Sequence, residues 1–444
     1  MTSVLTKMTI PMILGMVAMV GFNLVDTYFV GQLGTNELAA MGFTFPIVSV
    51  IFSIAVGIGI GVSAVVSKAI GEGDQTQVKR LTTDSLVLSL LVVAFFLALG
   101  FLTMEPIFRL LGATDELLPL VRTYMTIWYS GMIFVVIPMS GNAAIRATGD
   151  TQTPSMVMIA AFLLNLILDP IFIFGWGPIP RMELAGAAYA TVFSRFLTTA
   201  IALWVLHFRE GMISFEYPKL SEIWQSWRQV LFIGMPAAGA NIILPIGVAI
   251  ITRMVAQFGA AAVAAFAVAQ RVDGLVLAVL MALATVLAPV IGQNLGAGKQ
   301  DRVRESIRLS SMFALAWGVG MAVILALAAR PIATIFNPDP AVIETVTLYL
   351  WIAPIGYGFY GIIRLSNAAL NVLNRPLLAS GLMLTQMFVF LIPLTFLGSA
   401  LFGIGGVFGA TPIAYILAGG LCYWSVQRVL GQLAPKQSPI LSPA

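Results

Sequence analysis

Long apolar segments dominate this sequence, and each is long enough to cross a lipid bilayer as an α-helix. A crossing needs about 20 apolar residues, and twelve segments of that kind follow one another between residues 8 and 430. Only 9% of the 444 residues are charged, against about 25% in soluble domains. A soluble core could not hide so much apolar surface. The sequence therefore predicts an all-α polytopic membrane protein.

Hydropathy and loop residues place the twelve predicted spans. They lie near 8–31, 39–66, 84–104, 119–145, 153–175, 184–208, 229–254, 263–291, 307–329, 341–372, 376–399 and 403–430. The first is too long for a signal peptide and lacks a small-residue cleavage site, so we interpret it as a retained helix. Fifteen Lys and Arg residues lie in the termini and even-numbered loops, and four lie in the odd-numbered loops. This asymmetry predicts cytoplasmic termini.

The two halves of the chain resemble each other at an offset of 225 residues. Pro11 corresponds to Pro236, the Val30–Gly34 motif to 255–259, and the Asn142–Ile145 motif to 367–370. Six spans per half give both halves the same orientation, which predicts two six-helix lobes related by a pseudo-twofold axis along the membrane normal. We predict an amino-terminal lobe over 1–208, a cytoplasmic connector over 209–228 with a short interfacial helix, a carboxy-terminal lobe over 229–431 and a disordered tail over 432–444.

Two aspartates lie inside predicted spans. Asp26 and Asp169 are five and six residues before the outer ends of the first and fifth spans, so both lie roughly 7–9 Å below the outer boundary. A carboxylate inside a membrane costs about 2.5–3.5 kcal/mol on insertion scales and by default indicates a functional site. The second half has Ile251 at the position of Asp26. The repeat therefore does not need these acids to fold.

Amide and hydroxyl groups accompany the two acids. Helical spacing predicts that Asn23 shares a face with Asp26 and that Asn165 shares one with Asp169, and Pro170 frees a carbonyl near Leu166. Further polar candidates in this half are Thr191 and Asn142. Such oxygen groups suit a proton, Na⁺ or an organic cation. The structural alternative is that the acids bond to neighbouring helices or pair with Arg195.

Other chemistries lack their residues. One His and one Cys provide neither a metal cluster nor a nucleophile with a base, so we predict neither an enzyme nor a resident cofactor. The net charge of +4 lies in membrane loops and does not indicate nucleic acid. Gly57 and Gly61 indicate close helix packing rather than a dinucleotide loop. Arg271 and Asp273 are two residues apart, a poor spacing for a pair on one helix, so each is expected to have its partner elsewhere.

These motifs resemble the multidrug and toxic compound extrusion (MATE) family, and within it the DinF-like branch. The resemblance covers about residues 8–430 and is most specific at Asn23–Asp26, Gly31–Gly34, Gly141–Arg146, Asn165–Ile171 and Gly186–Thr191. It implies a secondary antiporter of the bacterial cytoplasmic (inner) membrane. Such a protein exports amphipathic organic cations and other drugs by alternating access, driven by H⁺ or Na⁺, and functions as a monomer.

The resemblance also assigns residues. It implies that Asp26 is the coupling acid, that Asn165, Asp169 and Thr191 are its partners, that Asn142 lines the lobe, and that the first span bends at Pro11. A proton is the expected ion, and Na⁺ at Asp26, Asn165, Asp169 and Thr191 is the alternative. A flippase for lipid-linked saccharides on a related fold is a second alternative, although it would need a cationic cavity.

Overall fold

Helices form almost the whole of the structure, a computed structural model that describes residues 1–216, 219–336 and 338–433. The first half contains α1 (Thr2–Gly31), α2 (Thr35–Glu72), α3 (Gln75–Leu110), α4 (Leu118–Ser130), α5 (Ile133–Ala147), α6 (Gln152–Phe174) and α7 (Glu183–Trp204). The second half contains α8 (Leu220–Ala256), α9 (Ala260–Gly296), α10 (Gln300–Phe336), α11 (Pro340–Ile352), α12 (Tyr357–Val372), α13 (Pro376–Leu384) and α14 (Ile392–Leu433). The described residues form no strand beyond one isolated bridge between Trp176 and Ile179.

The helices account for the twelve predicted spans. Within the described residues, ten helical segments are long and apolar enough to cross a membrane, and α4 with α5 forms an eleventh that is bent by 42°. The longest segment runs from Pro376 to Gln432 and contains Gly403, whose φ of 60° and ψ of −141° are not helical. A residue with a side chain rarely adopts this conformation. Gly403 therefore breaks the segment into two crossings, which makes twelve and confirms the predicted fold class.

The order of crossings defines two faces of the molecule. We call the side where α1 begins and α14 ends the terminal face; the α2–α3, α5–α6 and α9–α10 connections lie on it as well. The other side is the opposite face. Following the internal repeat, we refer to α1–α7 as the amino-terminal lobe and to α8–α14 as the carboxy-terminal lobe.

The lobes meet in the terminal half of the molecule. Gly57 of α2 lies against Gly234 and Ala238 of α8, and Gly61 lies against Val230. These contacts confirm that the two glycines serve close helix packing, because a Cβ at Gly57 would meet α8 backbone atoms. Glycine is thus required where α2 and α8 approach each other.

Hydrogen bonds between the lobes lie at the same level. Gln293 Nε2 donates to the Ala147 carbonyl at 2.6 Å, and Trp227 Nε1 donates to the Asp84 carbonyl at 2.8 Å. Toward the opposite face, Gly42 of α2 and Gly239 of α8 have no neighbour within 4 Å of a built Cβ. From these contacts we infer a cleft between the lobes that is closed at the terminal face and open toward the opposite face.

The segment between the lobes differs from its expected form. Residues 221–228, expected as a separate interfacial helix in the connector, are the first turns of α8, which continues without a break to Ala256. The apolar positions that follow Trp227 keep helical periodicity, so nothing ends the helix there. The predicted tail, 432–444, lies outside the described residues except for its first two, which belong to α14.

Candidate functional site

The two aspartates inside the membrane lie at the same level of the amino-terminal lobe. α1 and α6 both start at the terminal face and pack side by side. Thr151 Oγ1 donates to the Met8 carbonyl at 2.8 Å, and Ser155 Oγ donates to Met12 Sδ at 3.5 Å. In both contacts the partners are 143 positions apart, and Asp26 and Asp169 are separated by the same number. This register places the two carboxylates side by side, as the predicted common depth requires.

Both carboxylates are buried. Asp26 exposes 6% of its surface and Asp169 none. Asn165 Nδ2 donates to Asp169 Oδ1 at 2.8 Å, so the predicted same-face amide on α6 is present. Asn165 is itself fully buried. The two residues therefore form a fixed carboxylate–amide pair inside the lobe, since one turn of α6 holds both groups.

Four oxygen atoms in this region are buried and have no hydrogen-bond partner among the described residues. They are Asp26 Oδ1, Asp169 Oδ2, Asn165 Oδ1 and Thr191 Oγ1. Buried polar atoms are normally satisfied, and each exception needs an explanation such as an ion or a catalytic role. A ligand that offers positive charge or hydrogen-bond donors would satisfy several of these atoms at once. We refer to Asp26, Asn165, Asp169 and Thr191 as the acid site.

A direct contact between α6 and α7 sets the level of Thr191 in the lobe. A Cβ on Gly186 would meet the carbonyl of Phe172 and the amide of Ile173. α7 therefore touches the α6 backbone just beyond Asp169, and because α6 and α7 run in opposite directions, Thr191 lies near the level of Asp169. The Gly186–Thr191 motif thus provides both the close approach and the hydroxyl group.

Two residues that the sequence analysis did not place in the site lie within electrostatic range of the acids. Arg195 interacts with Asp26, and Tyr124 of α4 interacts with both Asp26 and Asp169. No ion pair within 4 Å joins a carboxylate of the acid site to a cation in the described part of the chain. The Arg195 guanidinium instead stacks on the Phe22 ring, 4.6 Å from its centroid. The structural alternative of a close Asp26–Arg195 pair is therefore not observed.

Two predicted members of the site lie elsewhere. Asn23 is exposed, and its Nδ2 donates to the Met19 carbonyl of its own helix at 3.3 Å. The expectation that it shares the buried face of Asp26 is wrong, since three residues on a helix are about 60° short of a full turn. Asn142 is buried on α5, but it lies five residues before the terminal-face end of that helix. Asn142 thus lies near the terminal face, whereas the two acids lie nearer to the opposite face.

The two prolines lie inside continuous helices. α1 runs from Thr2 to Gly31 through Pro11, and α6 runs from Gln152 to Phe174 through Pro170. Because proline lacks an N–H group, the Lys7 and Leu166 carbonyls lose their usual helical donors. α1 is therefore unbroken in this structure, and Pro11 marks a weak point in its hydrogen bonding.

The carboxy-terminal lobe contains a different buried acid. Asp273 of α9 accepts a hydrogen bond from the Tyr349 hydroxyl at 2.6 Å and another from the Tyr357 hydroxyl. Its partners thus lie on α11 and α12, as the poor spacing to Arg271 predicted. Its two carboxylate oxygens are both satisfied, in contrast to the oxygens of the acid site.

A cavity of about 680 Å³ lies away from the acid site, between the lobes at the terminal face. It is lined by residues of both lobes, among them Lys7, Asp150, Gln293, Lys299 and Arg302. Asp150 in this cavity pairs with Arg209 at 2.7 Å and receives hydrogen bonds from Thr153. Burial opposes the charge of Asp150, but these bonds and Arg209 hold the pKa of its carboxyl below the usual value.

The acid site offers oxygen atoms rather than a metal cluster. Among the described residues there is no group of three or more His, Cys, Asp or Glu that could hold a metal ion. Two carboxylates, an amide oxygen and a hydroxyl can exchange a proton or coordinate a monovalent cation. The site can therefore change its charge by binding a proton or a monovalent cation.

Comparisons with known proteins agree with this architecture. The MatE family model matches the chain twice, over residues 11–171 and 236–397. The two matches begin 225 residues apart, which is the offset of the internal repeat. The chain is 40% identical over 426 residues to the FAD transporter of Shewanella oneidensis, covering 96% of this chain and 94% of the relative.

More distant relatives include a probable multidrug resistance protein, YpnP, of Bacillus subtilis. It is 27% identical over 405 residues, with 91% of this chain and 89% of the relative covered. Among solved structures, the Vibrio cholerae MATE transporter VcmN in its bent form superposes with a TM-score of 0.92 at 32% identity and 97% coverage of both chains. The chain therefore belongs to the MatE family and is a multi-pass membrane transporter rather than an enzyme.

Proposed function

We propose that this transporter exports its cargo in exchange for protons, and that the proton is bound at the acid site. The observation that supports this most directly is a pair of buried carboxylates at the same level of the lobe, Asp26 and Asp169. Each has an oxygen without a hydrogen-bond partner among the described residues. The matching position in the other lobe is Ile251, a buried apolar residue. Coupling is thus assigned to the amino-terminal lobe alone.

A proton suits the charge balance of the acid site. Two ionised carboxylates and one guanidinium, Arg195, leave one uncompensated negative charge in a buried region, which is energetically costly. One proton removes that charge without needing further ligands. Sodium is the alternative, and it would use the four unpartnered oxygens as ligands. We favour the proton because one oxygen can accept it. The four oxygens belong to three different helices, and none of them needs to move to bind a proton.

The proposed cycle links proton binding to the shape of α1. With the cleft open to the opposite face, which the asymmetry of basic residues predicts to be the outside, Asp26 takes up a proton. The neutral side chain settles among apolar neighbours, α1 bends at Pro11, and the cargo leaves. The lobes then rock about their contact, and the proton is released inside. Each charge moved through the full membrane potential supplies about 2.3 kcal/mol per 100 mV.

The cargo has two candidates. Amphipathic organic cations fit an acidic lobe and the multidrug transporters among the relatives. FAD is the second candidate, because the relative that is 40% identical over 96% of the chain is a FAD transporter. The two cargoes differ in charge, so they can be tested separately against the same ion gradient.

Asp26→Asn tests the coupling proposal. In proteoliposomes with an imposed pH gradient, we expect wild type to drive ethidium and FAD uphill, and the variant to lose gradient-driven flux while keeping its helix content. The asparagine keeps the shape of the side chain but cannot exchange a proton. Asp115→Asn is the matched control, since Asp115 is an exposed acid in the α3–α4 connection at the same face.

Parallel vesicles with a sodium gradient and no pH gradient distinguish the two ions. Flux driven by sodium alone would replace the proton with Na⁺ in this proposal. Gradient-driven flux of Asp26→Asn at the wild-type rate would remove Asp26 from the coupling step.

A further inference from the structure

Arg271 is a charged residue of α9, in the carboxy-terminal lobe, and it lies deep within the membrane-spanning region. It lies 11 residues after the start of α9 at Ala260, which is about 16 Å below the opposite-face end of that helix. An arginine cannot reach an interface over that distance by extending its side chain. A charge at such a depth normally faces a cavity or a partner and indicates a function.

One face of α9 is exposed. Arg271 is exposed together with its neighbours on one side of the helix, which are Ala267, Gln270, Gly274 and Leu275. α9 is the most enclosed of the spans, with 67% of its apolar window buried, and it contacts α1 and α2 of one lobe as well as α10 and α12 of the other. Because α9 contacts helices of both lobes, we place its exposed face at the cleft between them.

The charge of Arg271 has no counterion in the structure. No carboxylate lies within 4 Å of its guanidinium among the residues that the structure describes. Asp273, the nearest acid in sequence, is rotated away from the exposed face and is held by Tyr349 and Tyr357. Asp273 therefore does not pair with Arg271, and the described residues offer the guanidinium no hydrogen-bond partner.

We propose that Arg271 binds an anionic group of the cargo, and that this group is a phosphate. A guanidinium donates in a planar fork that matches phosphate oxygens two at a time. Gln270 adds an amide on the same face, and a side chain built at Gly274 would meet no atom within 4 Å, so space remains for a bulky group beside the charge. With a FAD transporter among the relatives, we assign the cargo to the phosphate-bearing aromatic molecules.

This inference rests on the proposed export function and narrows its cargo. In this arrangement the basic group of Arg271 lies on the α9 side of the cleft. The acid site lies inside the amino-terminal lobe, which forms the other side. Arg271 would hold the phosphate, while protonation at Asp26 would reshape the facing lobe. Selection of the cargo and coupling to the ion are thereby assigned to different residues, so variants can separate them.

The test uses three flavins that share one ring system: FAD and FMN carry phosphate, and riboflavin does not. Binding to the detergent-solubilised full-length protein is measured by flavin fluorescence, which needs no gradient, and flux is measured in proteoliposomes. In Arg271→Gln we expect affinity for FAD and FMN to fall about tenfold or more, as for loss of a charged hydrogen-bonding pair. Affinity for riboflavin and ethidium should stay within about twofold.

Two further variants complete the design. Arg271→Lys keeps the charge and should retain part of the FAD affinity, which a purely structural role would not predict. Arg330→Gln is the matched control, because Arg330 is also exposed but lies on the peripheral helix α10. Neither flux nor binding should change in it.

Several outcomes would overturn the proposal. These are equal losses for FAD and riboflavin, unchanged FAD binding in Arg271→Gln, or wild type that binds no phosphate-bearing flavin. Failure of the export function appears differently, as absence of gradient-driven flux of both FAD and ethidium in wild type. The binding measurement still decides the role of Arg271 in that case.

Discussion

The contact between Gly57 and α8 provides a quantitative test of how the lobes close. In Gly57→Ala, the added Cβ would meet the Gly234 carbonyl and both the backbone nitrogen and Cβ of Ala238. Backbone atoms cannot move aside as a flexible side chain can, so α2 and α8 must separate. Overpacking of this kind costs about 1–3 kcal/mol.

The same substitution also favours the helix, by about 0.8–1 kcal/mol. Gly57 lies in the middle of α2, so this gain is present whether or not the lobes are in contact at the terminal face, and it cancels in the equilibrium between the two states. Only the packing cost remains. It should lower the population of the state with a closed terminal face about 5- to 150-fold relative to the other state.

Spin labels at Thr76→Cys and Asp301→Cys can report the distance between the lobes at the terminal face. Both positions are exposed beside the α2–α3 and α9–α10 connections, and replacing Cys422, the single native cysteine, removes background labelling. We expect Gly57→Ala to shift the distance distribution to longer values and to slow transport.

Gly42→Ala is the control on the same helix, because nothing lies within 4 Å of a Cβ built there. It makes the same chemical change without the contact, so its distribution should match wild type. If Gly57→Ala and Gly42→Ala gave the same distribution, the contact would not control closure, and the reasoning from backbone proximity would be refuted.

Two further predictions concern the polar contacts outside the acid site. Tyr349→Phe removes one of the two donors to the buried Asp273, so the free energy of unfolding should fall by about 1–3 kcal/mol, measured by thermal unfolding in detergent against Tyr360→Phe; equal effects of the two variants would contradict the role of this bond. Asp150→Asn should lower stability at pH 7 by about 0.5–1 kcal/mol, because Arg209 is half exposed and its pairing is screened. Since the pKa of Asp150 is lowered in the folded protein, its stabilisation is present above the unfolded value near 4 and disappears as the pH falls through the lowered pKa, so the difference between wild type and Asp150→Asn should shrink below about pH 4.

The fold could be predicted from the sequence because a membrane allows very few backbone structures to cross it. A span must satisfy its own backbone, so each apolar segment had to be a helix. The predicted span 341–372 matches α11 and α12, which run from Pro340 to Val372. Boundaries at other helices were less accurate: α2 extends from Thr35 to Glu72, beyond the predicted 39–66, because a helix does not need apolar residues once it leaves the lipid.

The acid site could be predicted where the spacing of two residues along one helix decides whether their side chains meet. Asn165 and Asp169 lie one turn apart, which fixes their contact. Asn23 and Asp26 are only three apart, so the rotation of α1 decides whether both face inward, and that rotation is set by packing against α6. Tyr124 gave no signal, since a tyrosine in an apolar span usually serves packing. Its proximity to both acids depends on how α4 is placed in the lobe.

Arg271 and Asp273 mark the limit of what spacing alone can decide. Their separation of two residues excludes a pair on one face of α9, but it does not say which of them faces the protein and which faces the cleft. α9 is apolar around most of its circumference, so its sequence has no polar side to indicate an orientation. The tyrosines of α11 and α12 settle the matter: they hold Asp273 on the lobe side, and the geometry of the helix then turns Arg271 outward. Because no carboxylate of the described chain lies within 4 Å of Arg271, our proposal gives this guanidinium a partner from outside the chain, an anionic group of the cargo.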